Sequence, residues 1–188
     1  NKLAGGGFDP VTAADRAAET VLRQLIGERF PTHGVFGEEF GYQSGNGLTW
    51  VIDPVDGTRA FMAGMVHWGL LLGLFDGERP IIGVMYQPFT EELFFGDCVS
   101  AGYRRGTMEQ TLQVRNCAEL NDAVLTTTSP KLFTPGSERD GFEALESSVK
   151  LSRYGGDCYI YAMLAMGFVD LACDAALNAY DIQALIPI

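Results

Sequence analysis

Basic residues and histidine are scarce in this sequence. Thirteen lysines and arginines face 24 aspartates and glutamates in 188 residues, which gives a formal net charge of -11. Because so negative a surface repels phosphate backbones and anionic lipids, we expect no nucleic-acid or membrane partner and favour a protein that binds cations. The two histidines, His33 and His67, stand at a turn and at the start of a strand. They predict structural or exposed roles, and a histidine nucleophile or Ser-His mechanism has no support.

Long apolar runs and paired cysteines are also missing. The longest uncharged run in an apolar region, residues 158–169, is shorter than the roughly 18–20 residues that cross a bilayer, so it predicts a buried helix. The four cysteines contain no C-x-x-C pair, and a reducing compartment is the simpler interpretation. Because no basic-then-apolar signal segment opens the sequence, we expect a cytoplasmic protein.

Both ends of the sequence are typical of a fragment. Residue 1 is Asn, and the sequence stops at Ile188 inside an apolar stretch, whereas natural termini are usually polar. We therefore expect residues 1–188 to form a single domain of a longer protein.

Periodicity and turn residues predict mixed α and β structure. A helix is predicted over 13–29, because Thr12 followed by Asp15 resembles a weak capping box at its start. Ala17, Val21 and residues 25–26 are predicted on its apolar face. The other predicted helices are 142–148, 157–167 and a segment from Tyr180, and the predicted strands are 35–36, 48–52, 68–75, 80–87, 93–95, 112–114, 123–127, 150–153 and 169–173. Neighbouring strands dominate the first half, which is an α+β pattern.

The segment W-V-I-D-P-V-D-G-T, residues 50–58, carries the sharpest chemical signal. An apolar strand is predicted to end at Asp53, and Pro54 and Gly57 favour a turn after it. A turn can bring the carboxylates of Asp53 and Asp56 to one point, although positions three apart on a straight strand face opposite sides.

The same segment offers ligands for a cation and for an anion. The carbonyl of Val55 lies between the two carboxylates, and together they are the hard oxygen ligands that Mg²⁺ prefers. The backbone N–H groups of Gly57 and Thr58 suit an anion. The segment therefore predicts a place for a metal-bound phosphate, and a capped turn with solvated carboxylates is the alternative.

Three further acidic sites are ambiguous when each is taken alone. Glu38 and Glu39 follow a short apolar strand, Asp9 precedes the first helix, and Asp181 opens the last one. Their structural alternatives are two exposed loop carboxylates, a turn and a helix N-cap.

The ordered set of motifs resembles the inositol monophosphatase family of Mg²⁺-dependent phosphatases. D-P-V-T-x-x-D, G-E-E, W-V-I-D-P-V-D-G-T and Y-D-I-Q-A occur in the family's order across residues 9–188, with Tyr180 in place of the usual Trp. Four segments are similar to the histidinol-phosphate phosphatase branch of that family: 59–61, 87–90, 155–157 and 180–187.

The resemblance implies a layered α/β/α/β/α sandwich, a homodimer, and a sequence that lacks the family's N-terminal helix and final segments. It implies two or three Mg²⁺ ions, with these ligands: Glu38, Asp53, the Val55 carbonyl, Asp56 and Asp181. Glu38 would also help to hold the attacking water, which Thr58 and Asp9 would orient and deprotonate. The implied substrate contacts are Asp56, Gly57, Thr58, Arg59, Gly155, Gly156, Asp157, Asp174 and Asp181.

The predicted function is the hydrolysis of histidinol phosphate to histidinol and phosphate, a step of histidine biosynthesis, by a metal-activated water. Inositol 1-phosphate or another small sugar phosphate is an alternative substrate, and a non-catalytic module that binds a cation and a protein partner is a different class.

Covalent phosphatase and nucleotide-hydrolase motifs are missing, since the sequence has no D-x-D-x-T, C-x5-R or G-x4-G-K-[ST] pattern. Asp157 is predicted either to pair with the substrate amine or to cap the helix that follows it.

Overall fold

Strands follow one another with a single short helix between them from residue 34 to residue 111 of the computed structural model, which describes residues 12–188. The helices are α1 (Ala13–Arg29), α2 (Thr58–Met62), α3 (Ser137–Ser148), α4 (Tyr159–Ala165) and α5 (Ala179–Ile182). The strands are β1 (Gly34–Gly37), β2 (Gly41–Gln43), β3 (Thr49–Asp56), β4 (Gly69–Phe75), β5 (Pro80–Gln87), β6 (Glu92–Gly96), β7 (Ala101–Arg105), β8 (Met108–Thr111), β9 (Val124–Thr127), β10 (Leu151–Tyr154) and β11 (Leu171–Ala172).

The strands form two sheets of opposite character. The large sheet has the order β2-β1-β3-β4-β5-β6-β7-β8, and all its pairs are antiparallel except β1 with β3. The small sheet has the order β10-β9-β11, and both of its pairs are parallel. The α+β expectation is therefore confirmed, because the antiparallel half and the parallel half occupy successive parts of the chain.

Three apolar clusters stack the helices and sheets into layers. Ile26 of α1 packs with Trp50 and Ile52 of β3 on one face of the large sheet. On the other face, Leu71 of β4 packs with Ala162 of α4 and with Ala184, just after α5, and α5 itself contacts β3 and β4. α4 also contacts β11, and α3 covers the small sheet through a third cluster. The order of layers is α/β/α/β/α, as the resemblance implies.

Helix α1 has the predicted bounds but turns a different face to the sheet. Thr12 and Asp15 form the predicted capping box. The buried positions of the helix are Asp15, Glu19 and Ile26, whereas Val21 is 55% exposed. The prediction is confirmed for Ile26 and was wrong for Ala17, Val21 and Leu25, which are exposed. The reason is that two carboxylates on the other side of the helix have backbone and side-chain partners that make their burial favourable.

Two further strand predictions were wrong in the middle of the chain. Residues 112–114 form no strand, and the hairpin of β7 and β8 just before them was not predicted. β8 is exposed along its whole length at the edge of the large sheet. Its sequence lacks the alternation of apolar and polar residues that identifies a half-buried strand, so only main-chain pairing reveals it.

Three further features concern the length of the helices, the state of the cysteines and the role of His33. No helix among residues 12–188 combines the length and the apolar character needed to span a membrane. All four cysteines are free thiols. His33 has the structural role that was predicted, since its Nδ1 accepts a hydrogen bond from the Trp50 indole at 3.1 Å.

Candidate active site

The parallel pairing of β1 with β3 brings Glu38 beside Asp53. Gly37 lies opposite Ile52, so the next residue of each strand reaches the same edge of the sheet. The Glu38 amide donates to the Ile52 carbonyl at 3.2 Å and continues the ladder. The Glu38 carboxylate lies close enough to Asp53 to raise the pKa of that carboxyl.

An irregularity in β3 turns Asp56 toward the same point. The pairing of β3 with β4 shifts register between Asp53 and Asp56, and the Val55 amide donates to Asp53 Oδ1 at 3.0 Å. A bulge of this kind cancels the alternation that would send the two carboxylates to opposite faces. The predicted strand end at Asp53 was wrong, because β3 continues to Asp56 and the bulge takes the place of the turn.

The start of α5 supplies a further carboxylate. Carboxylate oxygens of Asp53, Asp56 and Asp181 all lie within 4.8 Å of one another. Asp181 Oδ2 also accepts a hydrogen bond from the Asn178 amide at 2.6 Å and completes a capping box. Asp181 is therefore both a helix cap and a member of the acidic cluster that Asp53, Asp56 and Asp181 form.

Burial and repulsion both favour the protonated form of the Asp53 carboxyl. Asp53 is 2% exposed. Burial is the main reason that its pKa lies well above the usual range, and the charges of Asp56, Glu38 and Asp181 raise the pKa further. Positive charge brought to this carboxyl would favour its ionised form.

Asp56 is affected in the same way but has a donor of its own. Burial is the first cause that raises the pKa of Asp56 to about 7, and the charges of Asp181 and Asp157 act in the same direction. Hydrogen bonding from Cys158 opposes this rise, with the Cys158 amide 2.6 Å from Asp56 Oδ2. Near neutral pH, Asp56 is therefore poised to release a proton when a cation arrives.

The donor set fits a hard divalent cation. The ligand atoms that Asp53, Asp56 and Asp181 bring together are carboxylate oxygens, which suit Mg²⁺ better than a soft metal. Glu38 and Val55 line the same pocket, of about 250 Å³, as the three aspartates. A cation bound there would remove the repulsion that now raises the carboxyl pKa values.

Gly57 and Thr58 begin α2 at the side of this cluster. Gly57 has a φ of +86°, and a Cβ atom at that position would lie 3.0 Å from the Cβ of Asp157, so glycine is required both by conformation and by space. The Thr58 hydroxyl contacts the Val55 carbonyl at 3.1 Å and Asp15 Oδ1 at 3.4 Å.

Asp15 is therefore a site neighbour that sequence reasoning treated only as a helix cap. Its other carboxylate oxygen accepts the Thr12 amide at 2.9 Å. The signal was present, since Asp15 is the last residue of the D-P-V-T-x-x-D motif. Asp9, the predicted partner of Thr58, lies outside the described residues.

The small sheet supplies the opposite wall of the pocket. Asp174 follows β11 and lines the pocket. Its carboxylate accepts hydrogen bonds from the Thr127 hydroxyl at 2.9 Å, from the Thr128 amide at 2.7 Å and from the Tyr161 hydroxyl at 3.3 Å. These donors fix the carboxylate in place, so it faces the pocket as a stationary acceptor.

Asp157 lines the pocket and pairs with a histidine. Its Oδ2 lies 3.1 Å from His67 Nδ1. Burial raises the pKa of Asp157, whereas the hydrogen bond and charge of His67 and the charge of Arg59 lower it. The helix-cap alternative was wrong, because α4 begins at Tyr159 and has no side-chain cap. His67, predicted to be structural or exposed, is thus a second neighbour that sequence reasoning missed.

The remaining predicted substrate contacts divide into two groups. Arg59 lines the pocket together with Gly57 and Thr58. Gly155 and Gly156 instead form the backbone turn after β10, where the Gly155 amide donates to the Thr127 carbonyl at 2.9 Å. A direct contact of these two glycines with substrate stays a prediction.

The sequence is similar to known phosphatases over nearly its whole length. The model of the inositol monophosphatase family matches residues 2–188. The chain is 38% identical over 184 residues to the bifunctional phosphatase IMPL2, chloroplastic, of Arabidopsis thaliana, which covers 96% of this chain and 52% of that protein. It is 35% identical over 180 residues to a histidinol-phosphatase of Chlorobaculum parvum, which covers 95% of this chain and 68% of that protein. The chain thus spans about half the length of the first relative.

The fold is similar to that of a solved enzyme structure. An inositol monophosphatase from Zymomonas mobilis is 32% identical and superposes with a TM-score of 0.84 over 98% of this chain and 73% of that chain. The layered architecture expected from the motifs is thereby confirmed.

Proposed function

We propose that this chain, which belongs to the inositol monophosphatase family, acts as part of a Mg²⁺-dependent phosphomonoesterase. Its proposed substrate is histidinol phosphate. The observation that carries the proposal is the convergence of Asp53, Asp56 and Asp181 from separate segments. Such a cluster is costly without a cation, so its formation by the fold supports a binding role.

The metal ligands proposed are Glu38, Asp53, the Val55 carbonyl, Asp56 and Asp181, for two or three ions. Bound Mg²⁺ would supply charge neutralisation at the phosphoryl oxygens and a lowered pKa for a bound water. The chain's own part is to fix these oxygens in position: the Val55 amide orients Asp53, and the Asn178 amide orients Asp181.

The phosphate and the water need groups beyond the carboxylates. We assign the phosphate to the amides of Gly57 and Thr58, where glycine leaves the backbone accessible. The Thr58 hydroxyl, which contacts Asp15 Oδ1 at 3.4 Å, would hold the attacking water with Asp15 as the base, and Glu38 would help to place it. The same role for Asp9 stays a prediction. A site that merely stores a cation needs no such groups, which favours catalysis over a binding module.

The leaving group would occupy the side of the pocket formed by Asp157 and Asp174. Histidinol carries an amine, and two carboxylates there attract a cation. The 35% identity with a histidinol-phosphatase supports this substrate. The similarity in fold to an inositol monophosphatase supports inositol 1-phosphate as the second candidate. A homodimer in the cytoplasm stays a prediction, and light scattering would measure the assembly.

A panel of phosphate esters tests the proposed function. We expect phosphate release from histidinol phosphate to exceed release from inositol 1-phosphate and AMP, and to require Mg²⁺. Preference for inositol 1-phosphate would establish the second candidate instead. No release from any ester, with or without Mg²⁺, would leave the cation-binding module.

Asp157→Ala tests which group recognises the leaving alcohol. Because a charge-assisted hydrogen bond to the amine would be lost, we expect KM for histidinol phosphate to rise about tenfold while KM for inositol 1-phosphate changes little. Steady-state kinetics with both esters measures the difference. Equal changes for the two substrates would refute the pairing of Asp157 with the amine.

A further inference from the structure

The most completely buried charge among residues 12–188 that is not in the acidic cluster is Glu19 of α1, which is 0% exposed. Its Oε2 accepts the Glu39 amide at 2.7 Å, and its Oε1 accepts the Phe40 amide at 3.2 Å. Arg23, one turn later in the helix, donates from Nε to Oε1 at 2.7 Å. The carboxylate thus has charged and backbone partners, which is the condition for burying it.

Glu19 contacts the turn on both sides of Glu38 in the sequence. The residue before it, Gly37, has no room for a side chain, because a Cβ atom there would lie 2.0 Å from Oε1 of Glu19. The two residues after it, Glu39 and Phe40, donate their amides to Glu19. Arg23 also donates from Nη2 to the Gly41 carbonyl and so holds the far end of the turn.

Glu38 is consequently fixed on two sides. Toward the sheet, its amide donates to the Ile52 carbonyl. Toward α1, the next two amides donate to one carboxylate. Loss of the Glu19 carboxylate would remove the two hydrogen bonds that attach this turn to α1 directly after Glu38.

We infer that Glu19 is a positioning residue for metal binding, which acts by holding the turn that presents Glu38 to the cluster. The inference rests on the proposed function, because it takes Glu38 to be a metal ligand. Groups that orient a metal ligand without contacting the metal commonly contribute about 10- to 100-fold to affinity. Glu19 meets this description through backbone amides instead of through a ligand side chain.

Glu19→Gln is the decisive variant because it keeps the shape of the side chain. Its NH₂ group would face backbone donors, so the hydrogen bonds to Glu39 and Phe40 cannot both persist. We expect Mg²⁺ to bind at least about tenfold more weakly in isothermal titration calorimetry. Hydrogen exchange of the Glu39 amide should accelerate, and turnover should recover partly at high Mg²⁺.

Matched variants separate positioning from stability. Glu28→Gln, on the exposed side of the same helix and hydrogen-bonded to Gln24 at 2.9 Å, should leave Mg²⁺ affinity unchanged. Arg23→Met removes one partner of Glu19 and the bond to Gly41, so it should weaken Mg²⁺ binding by a smaller factor, about threefold. If Glu19→Gln does not fold, Arg23→Met decides the question by the same titration.

Two outcomes would overturn the inference: unchanged Mg²⁺ affinity in a folded Glu19→Gln protein, or, where that variant does not fold, unchanged affinity in Arg23→Met. Asp53→Asn is titrated alongside. If Asp53→Asn also binds Mg²⁺ normally, the metal site itself is misassigned and the proposed function fails. If Asp53→Asn loses binding while Glu19→Gln retains it, only the positioning role fails.

Discussion

Asp53→Asn is expected to lose turnover by about a thousandfold or more while the protein stays folded. The carboxylate is 2% exposed and lies at the centre of the acidic cluster. Asparagine has the same shape, and its oxygen can still accept the Val55 amide that now bonds to Asp53 Oδ1. The substitution therefore removes one charge from the cation site and leaves the backbone geometry of β3 in place.

The metal-free protein should become more stable in the same variant. Burial and neighbouring carboxylates raise the pKa of Asp53, which means that its charge is unfavourable in the folded state. A thermal melt without metal should give Asp53→Asn a Tm equal to or above that of the unaltered protein, and added Mg²⁺ should shift it little. Asp140→Asn, on the exposed surface of α3, is the control and should change neither activity nor the response to Mg²⁺. Normal turnover in Asp53→Asn would refute the metal-site assignment.

Mg²⁺ affinity is expected to rise at least about a hundredfold between pH 5 and pH 8. The pKa of Asp56 is raised to about 7, so Mg²⁺ must displace a proton from this group at any lower pH. Each pH unit below 7 then weakens apparent binding at least about tenfold, because the raised pKa of Asp53 adds to the same dependence. Calorimetric titration at several pH values measures this slope, and buffers of different ionisation enthalpy measure the protons released.

The stability of the metal-free protein should change in the opposite direction. Because folding raises the pKa of Asp56, the folded state holds the proton more tightly than the unfolded chain does. This contribution to stability is fully present below about pH 4 and is lost as the pH rises through about 7. Asp56→Asn should remove that loss, so the Tm difference between variant and unaltered protein should grow from pH 5 to pH 8. A constant difference would contradict the raised pKa.

The identities of the clustered residues were available from the sequence, but the way they meet was not. The D-P-V-D-G-T spacing placed Asp53 and Asp56 together, and the structure does so with a bulge where a turn was expected. The meeting of Glu38 with Asp53 depends on the parallel register of β1 and β3, which no local pattern specifies.

Residues that act through long-range contacts were the ones that sequence reasoning missed. His67 meets Asp157 across 90 positions of the chain, and Glu19 meets Glu39 across 20. An apolar periodicity predicts that charged residues face solvent, so it assigned the buried face of α1 incorrectly. The tertiary partners of Asp15 and Glu19 add to their local ones, and together they make the burial of these carboxylates favourable.

The acidic cluster draws on positions as early as Glu38 and as late as Asp181. During synthesis, Glu38, Asp53 and Asp56 would leave the ribosome well before α5 emerged. A nascent chain at that stage has the repulsion of the cluster without its final member. Binding of a cation by all four carboxylates would thus have to wait until α5 has been synthesised, and until then part of their repulsion would have no counterion in a complete site.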